Sequence, residues 1–89
     1  MNIVPFLAEF LGTFFLLASI LFTGNWLVIG LTLAGIIFVV GNVSGAHVNP
    51  AVSVAMYLKG SLGLNELVAY CIAQILGAVA SLYTYNTFA

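Results

Sequence analysis

The chain has 89 residues, of which 64% are hydrophobic and only three are charged: Glu9, Lys59 and Glu66. A soluble fold of this size could not cover its surface with three charges, so the composition predicts an integral membrane protein in a lipid bilayer. The sequence has no basic patch, which excludes nucleic-acid binding. No basic segment precedes the first apolar run, and that run is too long for a secretory signal.

Three apolar runs are long enough to cross a membrane, since a helix needs roughly 20 mostly apolar residues for the ~30 Å hydrocarbon core. They cover about residues 3–22, 26–43 and 64–85. The first run ends at the turn-forming segment Thr23-Gly24-Asn25, and the third starts with Asn65 and Glu66, which suit the positive end of a helix dipole. The predicted fold class is an all-α membrane protein, with residues 1–89 as one unit.

The linker between the second and third runs predicts a re-entrant loop and half-helix over about residues 44–58. Asn49 is a favourable N-cap, and Pro50 suits the first helical turn, where its missing N–H has no consequence. A helix from Pro50 to Tyr57 or Leu58 would span about half the bilayer at 1.5 Å per residue. Irregular backbone at this depth must line a cavity or be buried in protein.

Small residues recur at helical spacing, which favours close helix packing in membranes. The set is Ala8 and Gly12 on the first span, Gly30, Ala34 and Gly35 on the second, and Ala69, Ala73, Gly77 and Ser81 on the third. The alternative is lipid-facing helices with incidental glycines. In a three-span topology Trp26, Tyr83 and Tyr85 would lie at the same membrane face, as in an aromatic belt.

Three motifs make the chain resemble one family. The segment SGAHVNPAVS at 44–53 closely resembles the first of the two NPA signatures of the aquaporin and glycerol-facilitator family, with Asn49, Pro50 and Ala51 as the NPA itself. AEFLGTFF at 8–15 is similar to the family's first-helix motif and AQILGA at 73–78 to its third. The family has two similar halves in inverted orientation, and this sequence resembles the N-terminal half alone.

The loop ahead of the half-helix is expected to run extended, so that its carbonyls accept hydrogen bonds from water or hydroxyls in a cavity. These carbonyls belong to Ser44, Gly45, Ala46 and His47. Asn49 can donate its side-chain N–H₂ to a passing oxygen, while the helix start contributes partial positive charge that opposes cations. The alternative is that Asn49 only caps the half-helix, and both roles can hold together.

Polar residues within the spans are expected to hold the loop. A carboxylate within a span usually faces the bundle interior, and the resemblance implies that Glu9 accepts hydrogen bonds from the loop backbone or from His47. Gln74 is expected to bond the loop or another helix. The alternatives are a proton relay at Glu9 and a metal site at His47, but too few ionisable or ligating residues exist for either. Cys71 is expected to pack as a small hydrophobe.

One half of the family fold forms only one wall of a pore. The simplest way to complete the pore is a pair of identical chains in inverted orientation. The alternatives are a separately encoded second half and a non-conducting remnant. By resemblance, the narrowest ring of the pair would take Ile29 from one chain and Ile37, Ala46 and Val52 from the opposing chain. The family's ring normally contains an arginine, and this chain has none.

The predicted function is therefore a passive channel for water or small neutral solutes such as glycerol, urea or gases. The alternative is a non-conducting membrane component. No nucleophile–base pair or metal constellation can be assembled, so enzyme activity is not expected, and neither a cofactor nor a metal is predicted. The resemblance further implies a homo-oligomer with four pores per assembly.

Overall fold

The computed structural model describes residues 2–89 and consists there of four α-helices. In chain order they are α1 (Val4–Thr23), α2 (Trp26–Ser44), α3 (Pro50–Lys59) and α4 (Leu64–Phe88). Helices α1, α2 and α4 are each long and apolar enough to cross a membrane. The predicted class of three transmembrane helices and one short helix is confirmed, and α4 continues past the expected end at Tyr85 to Phe88.

The turn between α1 and α2 is formed by the polar segment that follows the first apolar run. Gly24 adopts the left-handed conformation (φ 57°), and its N–H donates to the carbonyl of Ile20. Asn25 is the N-cap of α2, where its Oδ1 accepts from the N–H groups of Leu27 and Val28. These two residues satisfy backbone groups at both helix ends, so α1 and α2 run antiparallel with a very short connection.

Helix α1 is the centre of the bundle. It packs against α2 on one side and α4 on the other, and α3 packs against α4. Among residues 2–89, α2 and α4 do not pack side by side and meet only where the Tyr70 hydroxyl reaches the carbonyl of Ser44 at the end of α2, so the helices form an open wall. The only buried residue of α2 is Ser44, at its end.

The α1–α4 contact is close because a glycine lies in its centre. A Cβ atom added at Gly77 would lie 2.5 Å from the backbone oxygen of Phe10, nearer than real Cβ atoms approach. Ala73 and Ser81, one turn to either side, are buried as well. The small residues of α4 therefore let the two backbones touch, as membrane helices without a hydrophobic driving force require.

The small residues of α2 do not make the close helix contacts that the sequence predicts. A Cβ atom at Gly30 or Gly35 would meet nothing within 4 Å, and Ala34 is exposed. The prediction that these residues pack closely is wrong within one chain, because no atom of α1 lies within 4 Å of a Cβ added at Gly30 or Gly35. Gly12 of α1 does lie in a tight contact, since its added Cβ would be 2.7 Å from Cγ1 of Val48.

Helix α3 reaches only to the middle of the bundle. Its end is joined to the start of α4 by residues 60–63, and its start shares a cavity with Ile75 and Ala78, near the middle of α4. Its 10 residues correspond to about 15 Å, half the hydrocarbon thickness. The loop and α3 therefore turn back at the middle of the bundle and return to the side from which they entered.

The aromatic residues mark the opposite end. The rings of Phe22 and Tyr85 meet edge to face with centroids 5.2 Å apart, which brings the ends of α1 and α4 together. Trp26 starts α2 at this same end and is 81% exposed, and Tyr83 is 68% exposed. This arrangement agrees with an aromatic belt at one membrane face.

Candidate functional site

Asn49 caps the start of α3 and keeps its amide hydrogens free. Its Oδ1 accepts from the N–H of Ala51 at 2.8 Å, and its backbone is extended (φ −159°). Pro50 follows at the first helical position. The side chain of Asn49 is exposed, and its amide nitrogen has no hydrogen-bond partner among residues 2–89. The cap therefore leaves a donor at the mid-depth end of the half-helix.

The loop between α2 and α3 is tightly turned, so the expected extended run from Ser44 to His47 is wrong. Ser44 still belongs to α2, and Gly45 ends that helix in the left-handed region (φ 87°), with its N–H donating to the carbonyl of Gly41. Ala46 (φ 49°) and Val48 (φ 45°) also have positive φ. A β-branched residue rarely adopts this conformation, which costs about 1–3 kcal/mol.

The Ser44 carbonyl, one of the four expected to face the cavity, is engaged inside the protein. It accepts from the hydroxyl of Tyr70 at 2.8 Å. Within the described part of the chain, the carbonyls of Gly45, Ala46 and His47 accept no hydrogen bond. These three remain available as acceptors.

Glu9 holds the strained loop from inside. It is fully buried, and its two oxygens accept four hydrogen bonds. Oε2 accepts from the Ser44 hydroxyl at 2.7 Å and the backbone N–H of His47 at 3.0 Å; Oε1 accepts from the backbone N–H of Val48 at 2.7 Å and from Nε2 of Gln74 at 2.9 Å. Four donors fill the acceptor capacity of a carboxylate. The N–H groups of His47 and Val48, which no helix or sheet could satisfy, are thereby paired.

His47 and Gln74 meet at a hydroxyl that was not singled out in the sequence. Ser53 lies on α3, is fully buried, and its Oγ is 2.9 Å from both Nδ1 of His47 and Nε2 of Gln74. The His47 ring also packs against the Tyr70 ring, with centroids 5.0 Å apart. Glu9, His47 and Gln74, grouped in the sequence as loop supports, thus lie together, and the His47 ring bonds Ser53 instead of Glu9.

Sequence reasoning missed Ser53 and Tyr70, although a weak signal existed for each. Ser53 lies one turn after Asn49 on a short, otherwise apolar helix, and Tyr70 lies one turn before Gln74 on α4. Polar residues one turn from a predicted site residue share its helix face. Neither residue, however, can be paired with its partner without the fold.

A cavity of about 290 Å³ opens where α3 begins. Its walls come from α1, α4 and the start of α3, and include Leu16, Leu17, Ile20, Asn49, Ile75 and Ala78. Most of the lining residues are apolar, and the polar ones are Thr13, Asn49 and Gln74. Beyond the start of α3, the cavity lining extends to Ile20 of α1 and Ala78 of α4.

The four candidate constriction residues do not form a ring within one chain. Ile29 on α2 and Val52 on α3 are half-buried, Ile37 is exposed, and Ala46 is buried. The ring was predicted to form between two chains, and that remains a prediction. The buried side chain of Ala46 leaves little surface for a second chain to contact.

Comparisons with known proteins agree on one protein family. The family model of the major intrinsic proteins matches residues 2–88. The chain is similar to aquaporin Z of Brucella melitensis biotype 1, with 39% identity over 89 positions that cover 83% of this chain and 39% of that protein. It is also similar to aquaporin NIP1-1 of Arabidopsis thaliana (38% identity; 91% of this chain, 33% of the relative) and of Zea mays (38%; 84% and 33%). The chain therefore spans between 33% and 39% of the length of these relatives.

Proposed function

Because the chain belongs to the major intrinsic protein family, we propose that it is a passive channel for water or small neutral solutes, with a pore formed by two copies in inverted orientation. The observation that carries the proposal is the half-helix α3, which starts at the middle of the bundle with the free amide of Asn49, beside a mostly apolar cavity. The three relatives described above are aquaporins, which agrees with a channel.

The space beyond α3 supports a second, inverted copy. Helix α3 fills about half the hydrocarbon thickness, and the cavity at its start lies between the remaining parts of α1 and α4. An inverted α3 has the length to fill the other half. The start of each α3 would then face the other at the membrane centre, with one Asn49 from each copy.

The chemistry of the half-site suits neutral, hydrogen-bonding solutes. The carbonyls of Gly45, Ala46 and His47 can accept, and the Asn49 amide can donate, so a water or hydroxyl group finds both partners in sequence along the wall. The partial positive charge at the start of α3 opposes cations at the same point. In this proposal Ile29 of one copy and Ile37, Ala46 and Val52 of the other form the narrow ring, which is apolar and has no arginine. Four such pores per assembly would follow the family pattern.

Inverted pairing requires that the chain insert in both orientations, and the charge distribution permits this. Orientation is set mainly by Lys and Arg in short loops, and Lys59 is the one such residue in the sequence. It lies at the end of α3, on the side where α4 starts. The competing candidate, a separate chain that supplies the second half, would need this single lysine to fix one orientation.

Osmotic shrinkage of liposomes that contain only the purified chain tests the proposal. Light scattering after a rise in external sucrose should show faster water loss than from empty liposomes, and a glycerol gradient should give the solute permeability. Rates equal to those of empty liposomes, with the chain inserted in both orientations, would contradict a channel made of this chain alone. Recovery of flux only after a second chain is added would favour the separate-half candidate.

A further inference from the structure

A chain of three hydrogen bonds links the buried carboxylate to the histidine ring. Nε2 of Gln74 donates to Oε1 of Glu9 at 2.9 Å and to Oγ of Ser53 at 2.9 Å, and Oγ of Ser53 lies 2.9 Å from Nδ1 of His47. Glu9, Ser53 and Gln74 are each at most 1% exposed. Water therefore has no access to the middle of this chain of contacts.

The direction of the first two bonds follows from Glu9. Its oxygens already face the backbone N–H groups of His47 and Val48, which can only donate, so the carboxylate acts as an acceptor. The amide of Gln74 then presents nitrogen to Glu9: its Oε1 is left buried with no partner among residues 2–89, but the flipped amide would set that oxygen directly against the carboxylate, another acceptor. The two amide hydrogens are used by Glu9 and Ser53, and Ser53 therefore accepts.

The hydroxyl hydrogen of Ser53 then has one acceptor within reach in the described chain, Nδ1 of His47. If Nδ1 carried a hydrogen instead, Ser53 would accept twice and its own buried hydrogen would be unpaired, an unfavourable state. We propose that Ser53, oriented by Gln74, holds His47 as the Nε2–H tautomer. Ser53 and Gln74 are thus positioning residues that act through His47.

This tautomer makes His47 a hydrogen-bond donor on the loop. Nε2 has no partner among residues 2–89, and His47 is half-buried. A Cβ atom at Gly45 would lie 3.0 Å from Nε2, so the glycine leaves the space beside this nitrogen open. The acceptor carbonyls of the loop are then accompanied by a second donor besides Asn49. The role of this donor in conduction rests on the proposed channel, whereas the tautomer itself does not.

Solid-state ¹⁵N NMR of the chain in lipid, at an alkaline pH that keeps the imidazole neutral, tests the assignment. His47 is the single histidine in the sequence, so its two ring nitrogens are identified without variants. We expect protonated Nε2 and unprotonated Nδ1, with a tautomer ratio of about tenfold or more. A majority of Nδ1–H in the wild-type chain would overturn the proposal, whatever the liposome flux shows.

Two variants separate the positioning role of Ser53 from a general structural one. Ser53→Ala removes the donor to Nδ1 and should lower the tautomer ratio severalfold, and Ser53→Thr, which keeps a hydroxyl, should restore it. An unchanged ratio in a folded Ser53→Ala chain would overturn the role of Ser53. If Ser53→Ala does not assemble, a wild-type proton–nitrogen correlation decides: a contact from the Ser53 hydroxyl hydrogen to Nδ1 supports the proposal, and its absence overturns it.

Discussion

Oε1 of Glu9 accepts a hydrogen bond from the backbone N–H of Val48 at 2.7 Å, across 39 positions of sequence. Val48 has a positive φ of 45°, a conformation that a β-branched residue keeps only when its surroundings impose it. The carboxylate supplies that constraint from α1. The position of the half-helix therefore depends on one buried side chain on another helix.

Substitution of Glu9 should destabilise the assembly in proportion to the number of donors left unpaired. In Glu9→Gln one carboxylate oxygen becomes an N–H₂ group, which the Ser44 hydroxyl can accept by rotating, so the main loss is at the His47 N–H. Glu9→Leu also leaves the Val48 N–H and the Gln74 amide without their partner. Each unpaired donor costs roughly 1–3 kcal/mol.

The measurement is the thermal loss of the oligomer in mild detergent, followed by size-exclusion chromatography. We expect the order wild type, Glu9→Gln, Glu9→Leu, with Leu losing the oligomer. Glu66→Gln is the matched control, since the Glu66 side chain is exposed and a glutamine oxygen can still accept its one hydrogen bond, from the N–H of Gly63. Equal stability of the Gln and Leu variants would show that Glu9 does not hold the loop.

Gly77→Ala should separate α1 from α4. Its new Cβ would lie 2.5 Å from the Phe10 oxygen and 3.1 Å from the Phe14 nitrogen, both backbone atoms that cannot move without a shift of the helix. We expect a loss on the order of 1–3 kcal/mol, as for overpacked cores. Gly30→Ala is the control, because its Cβ meets nothing within 4 Å.

The readout for both glycine variants is the thermal unfolding of the circular dichroism signal in detergent. A melting temperature of Gly77→Ala that matches Gly30→Ala would contradict the close α1–α4 contact. Destabilisation by Gly30→Ala alone would instead place Gly30 in an interface between copies.

Asn49 should contribute to flux beyond its capping role. Asn49→Ala removes both the cap, at about 1 kcal/mol, and the free amide donor. Asn49→Ser keeps a good capping oxygen but replaces the two amide hydrogens with one hydroxyl hydrogen on a shorter side chain, so it should lower water permeability in part while leaving thermal stability close to wild type. Stopped-flow light scattering of liposomes measures the permeability, and Asn86→Ala, near the end of α4, is the matched control. Wild-type flux in both Asn49→Ser and Asn49→Ala would leave Asn49 with the cap alone.

The extent to which the sequence predicts this structure differs between the helices and the loop. The spans were located within a few residues, because Gly24 and Asn25 end one apolar run and begin the next with identifiable caps. The turned loop was missed, since Ala46 and Val48 carry no local signal for positive φ. Their conformation is imposed by Glu9, from a distant part of the chain.

The sequence predicts the part of the site that lies in the motifs shared with the family and in the polar residues of the spans. Glu9 and Gln74 were singled out because polar side chains within apolar spans are expensive. Ser53 was not, because a serine on a short helix is unremarkable until Gln74 and His47 converge on it. Close packing was predicted for the glycines of both α2 and α4, but only the fold shows that α4 alone uses them within one chain.

The measurement that most directly tests inverted pairing is the orientation of the chain in the membrane. Ser61→Cys and Asn86→Cys are made separately in a Cys71→Ala background, which removes the single native cysteine. Both positions are exposed; Ser61 lies in the turn just before α4 starts, and Asn86 lies near the opposite end of that helix. Intact cells are then treated with a membrane-impermeant thiol reagent, and permeabilised cells give the full labelling of each variant. Two inverted copies require that each position be labelled in part in intact cells, at roughly half for equal populations. Complete labelling of one position with none of the other would contradict the self-paired channel and leave the pore to a separate chain.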